Sequence, residues 1–152
     1  MLRLTLLALA LATAPPLAAA PAWPGTENNA PALGGHDPVA YFSGTPGTSA
    51  AGATPAMGKP AFTATHAGAT FRFVNPTNRD AFIARPERYA PQFNGYCAWA
   101  ASQGRLAAPD PKLFKIVEGK LYMNCSKSAE TQWLADVPGN IAKATIFWDA
   151  QP

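Results

Sequence analysis

From Lys59 onward, the chain alternates between strand-like and helix-like patterns of apolar residues. The segment KPAFTATHAGATFRFVN carries aromatic residues on both sides of Ala67 and Gly68, with regular alternation on its second arm, which predicts an antiparallel hairpin. The segments KLFKIV and KLYMN, separated by Glu118 and Gly119, predict a second hairpin. Short hairpins bury little apolar surface alone, so we expect helices to pack against both.

Helical patterns follow the first predicted hairpin. Asn75 and Pro76 are residue types preferred at the N-cap and at the first helical position, so a helix is expected over PTNRDAFIARPERY. This helix should bury Phe82 and Ile83 and should end or bend near Pro86.

Further helices are expected around and after the second hairpin. The segment GYCAWAASQGRL predicts a short helix that stops at Gly104 and has Cys97 in its first turn. Ser126 or Ser128 can cap a later helix, and another begins near Pro138. The apolar faces of these two later helices are assigned to Ala129, Trp133, Leu134 and Val137, and to Ile141, Ala144, Thr145 and Trp148.

These elements predict an α+β fold in which small antiparallel β-hairpins pack against several short helices. The sequence itself shows no internal repeat beyond a loose recurrence of hairpin followed by helix.

The N-terminus has the pattern of a secretory signal peptide. One charge at Arg3 precedes an apolar stretch that is too short to span a membrane, and small residues follow Pro15 and Pro16. We therefore expect a signal peptide over residues 1–22, a surface linker over 23–35 and one domain over 36–150. The mature protein is expected in the periplasm or outside the cell, without a stable membrane span after cleavage.

The charge distribution narrows the range of partners. The 12 Lys and Arg and 9 Asp and Glu residues give a formal net charge of +3 and form no basic run. Nucleic acid is therefore not an expected partner, nor is an anionic membrane surface.

Two cysteines, Cys97 and Cys125, leave three alternatives open. In an exported protein a pair of cysteines commonly forms a disulfide. Cys97 could instead be a small buried apolar residue, or a thiolate ligand, because a helix N-terminus stabilises a thiolate.

Catalytic motifs are missing from the sequence. There is no G-x-S-x-G elbow, H-E-x-x-H or phosphate-binding loop, so a non-enzymatic protein is expected. One alternative stays open, in which Cys97 acts as a nucleophile with His36 or His66.

Metal binding requires a less specific pattern. The candidate ligands offer imidazole, thiolate and thioether groups, which copper accepts, whereas no C-x-x-C or H-x-x-x-H spacing supports zinc. Copper is therefore expected ahead of zinc. The candidate ligands are His36, Met57, His66, Cys97 and Cys125.

Three longer segments carry a family resemblance. GHDPVAYF, HAGATFRFVNPTNRDAFIARPERYAPQFNGYCAWA and DPKLFKIVEGKLYMNCSKSAETQW, in this order, resemble the YHS domain-containing proteins that bacteria export to the periplasm. The resemblance spans roughly His36 to Trp148. It implies a YHS/TRASH-like fold related to small metal-binding modules of copper-handling and other heavy-metal proteins.

The resemblance also implies where the chain departs from those modules. Their thiol ligands lie in a DPVCGM-like segment and in a Cys-x3-Cys pair, and the matching positions here are Ala40, Val74 and Asn78. Cys97 matches the GYCA pattern of the exported branch, whereas Cys125 does not match that branch.

The expected function is transition-metal binding, with an unknown envelope protein as a further partner. Cys97 would supply a thiolate and His36 an imidazole, and Met57, His66 or Cys125 would complete the set of ligands. The alternative is a metal-free envelope binding or scaffold domain in which Cys97 is structural or is bonded to Cys125.

Overall fold

Antiparallel hairpins form the β structure of the fold. The computed structural model describes residues 21–43 and 55–152, and within these residues there are two such hairpins. Both reverse at the predicted turns, where Ala67, Gly68, Glu118 and Gly119 all have positive φ. The strands are β1 (Lys59–His66), β2 (Ala69–Phe73), β3 (Asp110–Val117) and β4 (Lys120–Asn124).

Short helices surround the hairpins, which confirms the predicted α+β class. They are α1 (Pro76–Ala84), α2 (Pro86–Tyr89), α3 (Ala98–Ser102), α4 (Lys127–Ala135) and α5 (Val137–Asp149).

The predicted helix caps are present. The side chain of Asn75 accepts a hydrogen bond from the backbone N–H of Asn78 at 2.8 Å, and Pro76 is the first residue of α1. Ser126 caps α4 in the same way, accepting from Ala129 N–H at 3.0 Å. These side chains satisfy N–H groups that have no partner within the helix.

Three positions assigned to the apolar faces of helices are exposed instead, among them Thr145 in α5. Ile83 is 59% exposed although its neighbour Phe82 is buried, and Leu134 is 44% exposed beside the buried Trp133. Consecutive residues of a helix point about 100° apart, so a narrow contact face buries one of each pair only.

Residues 23–35 belong to the folded domain, so the expected surface linker is wrong. Trp23 is buried, packs edge-on against Phe71 with ring centroids 5.1 Å apart, and donates its indole N–H to the Ala67 carbonyl at 3.1 Å. Leu33 is buried in the same core. The sequence did not reveal the burial of Trp23, because a single apolar residue in a polar, proline-rich segment gives no periodic pattern.

Most of the expected signal peptide lies outside the described residues, as do residues 44–54. Within the described part of the chain, no helix is both long and apolar enough to cross a membrane.

The core has two main parts. One lies between the first hairpin, α1, the N-terminal segment and one face of the second hairpin, and the other lies between α3, α4, α5 and the opposite face of the second hairpin. Central residues of the first are Trp23, Phe71, Phe73, Phe82 and Leu121, and those of the second are Phe93, Ala98, Tyr122, Trp133 and Ala144.

The second hairpin repeats the first one residue by residue. Corresponding strands have equal lengths, and both hairpins carry a register shift near the start of their first strand, where Lys59 pairs with Phe73 and Asp110 with Asn124. A capped nine-residue helix follows each hairpin. The loose recurrence seen in the sequence is therefore a structural repeat.

The repeat extends to the segments that precede the hairpins. Leu33, Gly34 and Gly35 all have positive φ, and so do residues 93–95. Each of these unusual turns is followed, two residues later, by a fully buried side chain: Asp37 in the first repeat and Cys97 in the second.

Candidate functional site

Cys97 and Cys125 lie side by side without a disulfide bond. Cys97 is the N-cap residue of α3 and is fully buried, while Cys125 directly follows β4 and is partly exposed. Ala100 and Ala129 are buried together with Cys97, and Trp99, Ala107 and Cys125 pack against this small cluster. The structure therefore brings together two candidate ligands that are distant in the sequence.

The surroundings of Cys97 act on its thiol in opposite directions. Burial and the neighbouring Cys125 thiol raise the pKa of Cys97 to about 12, whereas the backbone N–H groups of Ala100 and Cys125 lower it. The first two effects are the larger, so Cys97 is a neutral thiol when no cation is near it. A buried neutral thiol is a poor nucleophile, which weighs against the alternative of a Cys97 and histidine catalytic pair.

Asn124 links this thiol pair to α3. Its side-chain oxygen accepts from the Trp99 backbone N–H at 3.4 Å and lies 3.8 Å from the Cys97 sulfur. Asn124 is fully buried, and its amide nitrogen has no hydrogen-bond partner within residues 21–43 and 55–152. A buried donor without a partner is costly, which makes Asn124 an unusual core residue. Sequence reasoning did not identify it. Its position directly before Cys125 was the available signal.

His36 faces Met57 across an isolated antiparallel bridge. The bridge is closed by Asp37 N–H donating to the Ala56 carbonyl at 2.9 Å and by Gly58 N–H donating to the Gly35 carbonyl at 2.8 Å. His36 and Met57 are thus a non-hydrogen-bonded pair, whose side chains leave the bridge on the same face.

The ring of His36 is oriented by its own turn. Its Nδ1 lies 2.8 Å from the Leu33 carbonyl oxygen, which can only accept, so Nδ1 carries the proton in the neutral ring. Nε2 is then left with a lone pair, and the Met57 thioether on the same face is 55% exposed. The pair offers one nitrogen and one sulfur donor.

His66 has a different environment. Its Nε2 lies 3.4 Å from a carboxylate oxygen of Glu87, and its ring packs edge-on against Phe82. These contacts tie the end of β1 to α1 and α2, so a structural role accounts for His66.

The five candidate ligands therefore fall into separate places. Cys97 is beside Cys125, His36 is beside Met57, and His66 is beside Glu87. In residues 21–43 and 55–152, no group of three or more His, Cys, Asp or Glu side chains is placed to hold a metal ion. The pairing of His36 with Cys97 favoured from the sequence is replaced by a pair of cysteines.

Asp37 is the second polar group that the sequence analysis passed over. It is fully buried, and its carboxyl oxygens accept from the backbone N–H groups of Val39 at 2.8 Å and Val74 at 2.9 Å. They also accept from Ala40 N–H at 3.3 Å and from the Asn78 side-chain amide at 2.7 Å. An Asp-Pro pair after a turn was the signal for this local network.

Comparison with known proteins adds no relative. No protein-family model matches the chain, and no curated protein or solved structure matches it.

Proposed function

We propose that this chain is an exported, non-enzymatic YHS-type domain that binds a soft transition-metal ion, Cu(I), between Cys97 and Cys125. The observation that carries the proposal is the contact between these two unbonded thiols, one buried and one reaching the surface. The family assignment and the export rest on the sequence segments and the N-terminal pattern described above.

The number of donors favours copper over zinc. A protein zinc site takes three or four ligands in a tetrahedral arrangement, whereas the described residues offer a pair of thiols. Thiolates are soft ligands that favour Cu(I), and this ion is stable with few ligands. Cys125 supplies the access from solvent, because it is the partly exposed member of the pair. Such a site suits carriage of the ion better than stabilisation of the fold.

A second candidate function follows from the same contact. Neighbouring thiols in an oxidising compartment can lose two protons and two electrons to an exchanging disulfide and become bonded to each other. The protein would then be a metal-free binding or scaffold domain for an envelope partner, with Cys97 and Cys125 fastening α3 to the end of β4.

Anaerobic titration of the reduced mature protein with Cu(I), against a chromophoric competitor, tests the first proposal. We expect one tightly bound equivalent in the wild type, and loss of that equivalent in Cys97→Ser and in Cys125→Ser. His36→Ala and Met57→Leu are the matched controls and should retain it. Binding that survives both cysteine variants would contradict the proposal.

The state of the thiols in protein isolated from the periplasm separates the two candidates. Alkylation in denaturant, without added reductant, modifies both cysteines if they are free and neither if they are bonded. Two free thiols that become protected on adding Cu(I) support metal binding. An isolated protein with no reactive thiol supports the scaffold.

A further inference from the structure

The structural repeat places Asp37 and Cys97 at corresponding positions. Each is fully buried and lies two residues after the last residue of its positive-φ turn. Each also donates its backbone N–H to an alanine carbonyl just before the following hairpin. Asp37 donates to Ala56 at 2.9 Å, and Cys97 donates to Ala107 at 3.0 Å.

In the first repeat this position holds the carboxyl group of Asp37 in a nest of backbone donors. One oxygen accepts from the N–H of Ala40, three residues later, and the other accepts from Val74, the first residue after β2. Converging backbone N–H groups of this kind form a binding site for a negatively charged atom.

In the second repeat the two corresponding backbone positions lie beside Cys97. They are Ala100, three residues after Cys97, and Cys125, the first residue after β4, and both pack in the small cluster that contains Cys97. Ala100 and Cys125 are the counterparts of Ala40 and Val74. Cys97 therefore occupies a backbone site whose other copy holds a carboxyl group.

The two copies differ in their side-chain partners. In the first repeat the Asn78 amide donates to Asp37 at 2.7 Å, whereas its counterpart in the second repeat is Ala129, which packs against Cys97 without donating. The second repeat instead presents the thiol of Cys125. The first repeat thus presents the amide donor of Asn78 to its buried residue, whereas the second repeat presents the soft thiol of Cys125.

From this correspondence we infer that Cys97 is the anchoring thiolate of the soft-metal site, held by the same backbone nest that holds Asp37, with Cys125 as the second sulfur ligand. The inference deepens the proposed function and rests on it for the identity of the ion. The backbone nest itself can be tested without metal.

Charge balance explains why such a nest is useful. Binding of Cu(I) by the two thiols releases two protons and leaves one negative charge on the pair of sulfur atoms and the ion. When the ion is bound, the backbone N–H groups of Ala100 and Cys125 would face this anionic complex and stabilise it. Release of the ion returns both sulfurs to neutral thiols.

The first experiment transfers the site to the other repeat. Asp37→Cys, Val74→Cys and Asn78→Ala are combined, and Cu(I) binding is measured anaerobically with the full mature chain. We expect the stoichiometry to rise from one to two equivalents. Asp37→Cys with Asn78→Ala, without the change at Val74, is the matched control and should stay at one. A folded triple variant that binds a single equivalent would overturn the inference.

The second experiment tests the nest in the metal-free protein and stands if the grafted variant does not fold. Cys97→Asp and Ala129→Asn are made singly and together, and urea unfolding is followed by circular dichroism. We expect Ala129→Asn to raise the unfolding midpoint in the Cys97→Asp background, where it restores the pair seen at Asp37 and Asn78. In the wild-type background the same change should lower the midpoint.

An Ala129→Asn effect of the same sign in both backgrounds would show that residue 97 does not occupy the carboxylate nest, and would sink the inference. The test of Cu(I) binding and the test of the backbone nest can give different results. A wild-type protein that binds no Cu(I) but shows the expected sign reversal would remove the proposed function and the metal-ligand part of the inference while keeping the nest.

Discussion

The hydroxyl of Tyr41 donates a 2.8 Å hydrogen bond to the carbonyl of Pro111, and this bond joins the two repeats of the fold. Tyr41 lies in the short helical turn before the first hairpin, whereas Pro111 lies at the start of β3. The ring of Tyr41 is buried and meets Phe114 edge-on, with centroids 4.7 Å apart. The contact therefore links an apolar core to the backbone of the other repeat.

Tyr41 should make stability depend on pH in the alkaline range. Burial, and to a lesser extent the negative charge of Asp110, raise the pKa of Tyr41 above its ordinary value of 10.0. Below that value the phenol is neutral in both folded and unfolded chains. Above it the unfolded chain ionises first, so stability falls as pH rises, by about 1.4 kcal/mol for each unit until the folded group also ionises.

Tyr41→Phe tests this effect. At neutral pH the variant should lose about 1 kcal/mol, because the hydrogen bond to Pro111 is missing. Between about pH 9 and about pH 11 its urea midpoint should fall less than that of the wild type, since Phe cannot ionise. Equal slopes for both proteins over this range would contradict the role given to Tyr41.

The Asp37 network should be sensitive to a change of one atom. Asp37→Asn places an NH2 group where Val74 N–H and the Asn78 amide now donate to an oxygen. Donors then face donors, and we expect a loss of about 3 kcal/mol in the free energy of unfolding. Asn78→Ala, which removes a single donor, should cost less, about 1 to 2 kcal/mol. A milder effect for Asp37→Asn than for Asn78→Ala, measured by urea unfolding, would rule out this account.

Local rules predicted the parts of the fold that depend on neighbouring residues. The turns at Ala67 and Glu118 and the cap at Asn75 were correctly predicted because turn and cap chemistry act over a few positions. Ser126 was one of two serines that could cap α4, and the structure selects it.

The remaining features depend on distant parts of the chain. The contact of Cys97 with Cys125 follows from docking α3 against the end of β4, which no local pattern encodes. The repeat escaped detection because corresponding residues such as Asp37 and Cys97 differ in type while their backbones agree. The structure places Cys97 beside Cys125. The sequence had favoured a pairing of Cys97 with His36.

Trp23 anchors the N-terminal segment, so its removal should weaken the whole domain. Trp23→Ala deletes a buried ring that contacts Phe71 and an indole N–H that is bonded to the Ala67 carbonyl. We expect a loss of about 3 to 5 kcal/mol in urea unfolding, the range for large aromatic residues in cores. Ile146→Ala, at a position 73% exposed, is the control and should change stability by less than about 0.5 kcal/mol. Similar small effects for the two variants would mean that residues 23–35 are a surface linker after all.

The bridge that pairs His36 with Met57 requires glycine at position 58. A Cβ atom at Gly58 would overlap the backbone of Arg72, and a main chain cannot move aside as a flexible side chain can. Gly58→Ala should therefore cost more than about 3 kcal/mol, through displacement of the bridge and of β2. Gly104→Ala is the informative comparison, because its Cβ would meet open space and only its positive φ opposes the change, at about 1 kcal/mol. Thermal unfolding of the two variants decides the matter, since equal losses would contradict the close approach of Arg72 as the reason for glycine at position 58.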